Sequence, residues 1–156
     1  MTPESLMQLA IEKCRTGIAL GQTPFGCAIE LNGQVIAASH NTVWQTIDIT
    51  AHAEINALRE ACRQTQHPLL EGAIVATTCE PCPMCAAALH WARVEKVYFG
   101  ATIADAGAAG FSELDLPAEK VIAAGGGSTI LVPNLLRDEC QALFAEWKQD
   151  EKRRHY

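Results

Sequence analysis

With 156 residues, 49% of them apolar and 19% charged, the chain is long enough to bury a core without disulfide staples and too apolar to stay disordered. Its 18 acidic side chains outweigh 12 basic ones for a net charge of -6, which argues against a broad electrostatic grip on a phosphate backbone and favours small or neutral ligands. No apolar run reaches membrane-spanning length. Seven cysteines follow a start, "MTPESLMQLAIEKC", with no secretory pattern, so a reducing cytoplasmic setting is expected, where clustered thiols hold metal or do chemistry.

The chain is expected to form one domain, residues 1–156. Thr2, Pro3 and Glu4 start a helix predicted over about Thr2 to Leu20, with Leu6, Leu9, Ala10 and Cys14 at helical spacing. "FGCAIELNGQVIAASHN" holds two apolar runs around Asn32-Gly33, a strong hairpin signal. Thr50 is expected to cap a helix running to about Arg63. "AIVATT" reads as a short buried strand and "VEKVYFGA" as another. Between them "PCPMCAAALHWAR" reads as a helix with Pro81 and Pro83 in its first turn. "ATIADAGAAGFSELDLPAEK" is expected as a functional surface loop with short helical pieces, and "STILVP" as a last strand. Pro133 or Asn134 then opens a helix whose Leu135, Leu136, Cys140, Leu143, Phe144 and Trp147 share one side. The basic run Lys148, Lys152, Arg153 and Arg154 reads as a solvated helix end. This order predicts an α/β fold with a mixed sheet and helices on both faces.

Cys82 and Cys85 lie three apart at a helix start, where the helix dipole favours thiolates. His52, with Glu54 two residues on, lies about one turn into the earlier helix. One imidazole and two thiolates make the ligand count of a catalytic zinc that keeps a fourth position for water. Cys79, three residues before Cys82, would complete a closed structural site instead. The spacing alone admits both readings, an enzyme and a non-catalytic zinc module.

At "TAHAEINAL" and "TCEPCPMCAAALHWAR" the chain resembles the cytidine deaminase superfamily, whose base-directed zinc deaminases carry His-x-Glu followed by Pro-Cys-x-x-Cys. Within it the similarity is to the guanine deaminase and small nucleobase deaminase branch. It runs from "PFGCAIELNGQVIAASHN" through "AGFSEL", about two thirds of the chain, and more weakly through the last helix to Tyr156. The resemblance implies a three-layer α/β/α sandwich on a mixed five-stranded sheet. It also implies one Zn2+ per chain on His52, Cys82 and Cys85, with Glu54 as proton shuttle. Asn41, Ala53, Phe25, Trp91, Phe111 and Tyr156 are the substrate contacts it implies, and a homodimer with an exchanged C-terminal segment is the assembly.

Glu113 falls where guanine deaminases present a second acid to the base, and a carboxylate suits the amino and ring N–H groups of guanine. Ser112 departs from that branch by replacing an acid. The tRNA adenosine deaminases share the zinc motifs and a loop like "FGATIADAGAAGF", but they need a basic surface that this acidic chain lacks. Cytosine deaminase is a third substrate reading.

Overall fold

The computed structural model describes residues 1–156. Helix α1 (Pro3–Ala19) starts as predicted, with the Thr2 hydroxyl accepting the Ser5 N–H. Strands β1 (Gly26–Leu31) and β2 (Gln34–His40) form the hairpin. At its tip Asn32 and Gly33 both adopt positive φ, as a two-residue turn of this kind requires. A four-residue helix, α2 (Val43–Thr46), follows and was not foreseen. Helix α3 (Ala53–Thr65) begins three residues beyond the expected Thr50 cap, and the capping position is His52 itself.

Strand β3 (Ile74–Cys79) leads into α4 (Pro83–Trp91). Only Pro83 lies inside this helix; Pro81 stays in the extended approach, since Cys82 takes the capping position. Strand β4 (Lys96–Ala101) is followed by α5 (Ile103–Ala109) and α6 (Ala118–Ala124), the short helical pieces expected within the glycine-rich stretch. Strand β5 (Ile130–Val132) precedes α7 (Arg137–Lys148). Helix α7 starts later than its pattern suggests because Asn134 and Leu136 both adopt positive φ, bending the chain before the helix can begin.

The strands line up as β2-β1-β3-β4-β5. Strand β1 runs antiparallel to both β2 and β3, while β3, β4 and β5 are parallel to one another. Strands buried on both faces read as nearly continuous apolar runs rather than alternating ones, which is why "AIVATT" carries no period. One core packs α1, α5 and α7 against the sheet through Leu6, Ile11, Phe111, Leu143 and Trp147. The other packs α3 and α4 through Ala57, Leu58, Val75, Leu89 and Val97, and α6 lies beside α4.

Two glycines set the spacing of the first layer. A Cβ at Gly26 would collide with the Ala10 carbonyl oxygen of α1, and one at Gly100 with the Cys140 thiol of α7. Both helices therefore sit closer to the sheet than any side chain at those positions would permit. Arg15 and Glu146 join the same two helices by a paired contact at 2.9 and 3.0 Å.

Candidate active site

The chain reverses its pairing sense at β3, antiparallel to β1 on one side and parallel to β4 on the other. The amino ends of α3 and α4 meet near the end of that strand. Ligands in open α/β sheets collect in such crevices beyond the carboxyl ends of strands. Each helix opens on a residue that is not a usual cap. His52 (φ -67, ψ 159) and Cys82 (φ -61, ψ 166) hold extended backbone, and neither side chain caps its own helix. Both are thus free to face outward from the helix ends and toward each other.

The resulting cluster is tight. Cys82 Sγ and Cys85 Sγ each lie 3.6 Å from His52 Nδ1, and all three donor atoms fall within 4.8 Å of one another. Ligands of a tetrahedral zinc, at bonds of about 2.0 to 2.3 Å, stand roughly 3.5 Å apart, so the donor set fits that ion without rearrangement. The electrostatics agree. A hydrogen bond from the Cys85 thiol, with a further contribution from His52, holds Cys82 down at about 4 against the opposing effect of burial. The same bond, together with burial, pushes Cys85 up, so one proton remains for a cation to displace. For His52, burial lowers the pKa, but Cys82 and Glu54 outweigh it and carry the imidazole upward.

Glu54, in the first turn of α3, is 6% exposed. Its Oε1 accepts the Thr77 hydroxyl at 3.1 Å and its Oε2 the Cys85 thiol at 3.5 Å. Burial first, then the charge on Cys82, raises its pKa. A carboxylate so placed is disposed to take and return a proton. Cys79 borders the same cavity but is not grouped with the three donors: it packs in the α1/α7 core, and its thiol donates to the Thr102 carbonyl at 3.4 Å. Burial pushes its pKa well up. A closed site with Cys79 as fourth ligand is not the arrangement found.

The cluster opens into a cavity walled by Phe25, Glu80, Glu113 and Tyr156, with about 20 Å³ left free. Glu113 is half-buried, and burial followed by the Cys82 charge raises its pKa. Tyr156 reaches this cavity from its own chain, so an exchanged tail is not needed to bring it there. Its hydroxyl accepts the Asn41 amide N–H at 2.8 Å, and its ring lies 5.6 Å from the His52 ring. Asn41 itself is buried and does not line the cavity; its Oδ1 accepts the Val43 N–H at 3.0 Å, which fixes the local turn. Phe111 stands behind the wall, 5.0 Å from Phe25 and 6.2 Å from Tyr156 between ring centres.

Trp91 and Ala53, like Asn41 and Phe111, are not on the cavity lining. Trp91 closes the far end of α4, which leads away from the cluster, and is 74% exposed. Ala53 is fully buried in the α3/α4 core and does not line the cavity. Two residues the sequence did not single out do matter: Thr77, holding Glu54, and Glu80, on the cavity wall. Threonine is common in strands for packing reasons alone, so Thr77 gives no signal. The basic residues Lys148, Lys152, Arg153 and Arg154 are all exposed, as a solvated end requires, and Arg154 lies 4.6 Å over the Trp44 ring.

The family model for the cytidine and deoxycytidylate deaminase zinc-binding region matches residues 1–101. The chain belongs to this deaminase family. It is 34% identical to the guanine deaminase of Bacillus subtilis, over the whole of both chains. It is 35% identical to the tRNA-specific adenosine deaminase of the same organism, over 97% of this chain and 95% of that one. Among solved structures it is similar to NE0047 in complex with 2,6-diaminopurine, with a TM-score of 0.87, 30% identity, and coverage of 96% of this chain and 83% of the other. As a member of the family the chain is a zinc-dependent hydrolase of C–N bonds, on a mixed five-stranded α/β sheet.

Proposed function

We propose that the whole chain acts as one domain that deaminates free guanine, with water, to xanthine and ammonia. The observation that carries this reading is Glu113, a second half-buried carboxylate on the wall of the cavity that Glu54 and the His52, Cys82 and Cys85 donors share. Guanine offers adjacent amino and ring N–H donors, and an acceptor-only carboxylate suits them. The acidic charge argues against an anticodon stem-loop as ligand.

His52, Cys82 and Cys85 would hold the zinc, which when bound supplies water of lowered pKa as nucleophile. Glu54 is fixed by Thr77 and disposed by burial to carry a proton. It would accept one proton from the attacking water and deliver it to a ring nitrogen, then accept the remaining proton of the added oxygen and deliver it to the departing amine. Glu113 orients the ring so that its amine-bearing carbon faces Glu54, while Phe25, backed by Phe111, provides the apolar wall a flat base prefers. Tyr156 must swing aside for entry, because about 20 Å³ holds little more than one water. Because Tyr156 also forms part of the cavity wall, removing the last few residues should impair base binding more than zinc content.

The chain would work in the cytoplasm, where its seven free thiols stay reduced. The exposed Trp91 on α4 supports a homodimer. The deciding experiment measures ammonia release by the zinc-loaded protein from guanine, cytosine, adenine, their nucleosides and amino-triazines, with inosine formation in tRNA as a parallel arm. Guanine turnover is expected. Inosine formation without release from guanine would replace this reading with the tRNA adenosine deaminase one, which the 35% identity over nearly both full chains favours.

A further inference from the structure

Glu80 occupies the two-residue gap between Cys79, at the end of β3, and Cys82, at the start of α4. Its backbone is fixed at both sides. The Glu80 N–H donates to the Ala101 carbonyl at 2.8 Å, and Pro81 follows with a locked φ. The side chain then reaches across the sheet edge and divides its two oxygens between two helices. Oε2 accepts the Ile103 N–H, the first of α5, at 3.2 Å. Oε1 accepts the Ala118 N–H, the first of α6, at 3.0 Å.

Helix starts leave backbone N–H groups without intrahelical partners, and α6 has a particular need. Its capping position is Pro117, which has no side-chain acceptor to offer. Thr102 caps α5 by bonding the Asp105 N–H, which leaves the Ile103 N–H to Glu80. Between the two helices lies the loop Gly110–Pro117, which carries Glu113. From Phe111 to Pro117 it makes one internal backbone hydrogen bond, from the Leu116 N–H to the Leu114 carbonyl. Leu114 and Leu116 are exposed and add little packing. The loop is short of bonds of its own, and one carboxylate grips the helices on both sides of it.

We propose that Glu80 is a positioning residue that fixes Glu113 relative to the His52, Cys82 and Cys85 cluster by tying the starts of α5 and α6 to the approach of α4. The inference rests on the base-deaminase reading, in which Glu113 meets the substrate. Glu80 sits two residues from Cys82, so a single side chain sets the distance between the metal end of the site and the recognition end. No other residue bonds both helix starts and the strand end together.

The test uses Glu80→Gln and Glu80→Asp, singly and combined with Glu113→Gln, in the zinc-loaded full chain. Gln keeps the length but turns an amide NH2 toward one of the two donors; Asp keeps the charge but is too short to span both. Each is expected to lower kcat/KM for guanine by about tenfold, the scale of a lost charge-assisted hydrogen bond, mostly through KM, with zinc content unchanged. Combining either with Glu113→Gln should lower it no further than the larger single loss, because both act through one contact. Amide hydrogen exchange should quicken in residues 103–106 and 111–121 and stay as in the parent protein in residues 83–91. Additive losses in the double variants, wild-type behaviour of Glu80→Asp, or unchanged exchange across 103–121 would each overturn the proposal. If the parent protein released no ammonia from any base, the substrate reading would fail by itself, and the exchange measurement would still decide whether Glu80 holds the loop.

Discussion

The two faces of the sheet contribute different halves of the site. The α3/α4 layer supplies His52, Glu54, Cys82 and Cys85 from the first turns of two helices, each anchored in a packed core. The α1/α5/α7 layer supplies Phe25, Phe111, Glu113 and Tyr156 from strand entries, a loop and the chain's last residue. The metal donors sit on short rigid starts of helices, while the residues proposed for recognition sit on segments that can be re-aimed without disturbing those donors.

The largest blow to this division comes from Cys82→Ser, which should abolish both zinc retention and ammonia release, as metal analysis beside an activity assay would show. Cys79→Ser is the contrasting control. It should keep the metal and the activity and cost about 1 kcal/mol in urea unfolding, the usual scale of a buried polar change. If it lost zinc, Cys79 would be a ligand after all. Glu54→Ala should retain zinc and fold while slowing turnover by about 10² to 10⁴; turnover at the parent rate would remove Glu54 from the proton path.

On the recognition face, Phe111→Leu should raise KM a few-fold with kcat nearly kept and lower stability by less than about 1.5 kcal/mol, separable by full kinetic curves. The smallest effect belongs to Arg15→Ala, away from the site. The Arg15 guanidinium, first through its hydrogen bond, holds the Glu146 carboxyl below its usual 4.5. A depressed folded-state value stabilises the fold above 4.5, and the contribution fades as pH falls through the lowered value. The pair is largely exposed, so less than about 1 kcal/mol should be lost at neutral pH and nothing in strong acid. Unfolding curves at the two pH values would check it.

The chemical half was far more legible in the sequence than the recognition half. His52, Glu54, Cys82 and Cys85 are fixed by local spacing, and helix starts translate spacing into geometry with little help from the rest of the chain. Asn32-Gly33 was equally plain, because positive φ at two successive positions admits few residue types. Trp91 was misplaced because a resemblance carries residue type more reliably than direction, and α4 runs away from the cavity. The bend before α7 was hidden, since Leu136 with a positive φ has no pattern that would announce it. Glu80 went unnoticed for a related reason. Its partners are two backbone amides 23 and 38 residues onward, and no periodicity records such a reach.

Bare backbone at Gly26 and Gly100 makes the gap between the sheet and its first helix layer a fixed dimension. A side chain added at either glycine would push α1 or α7 off the sheet and open the core, giving a laboratory library no room for a bulkier ring, since neither helix lines the cavity. New capacity has to come from rebuilding the stretch from Gly110 to Pro117, where insertions would lengthen a surface loop and leave the metal-binding helix starts as they are.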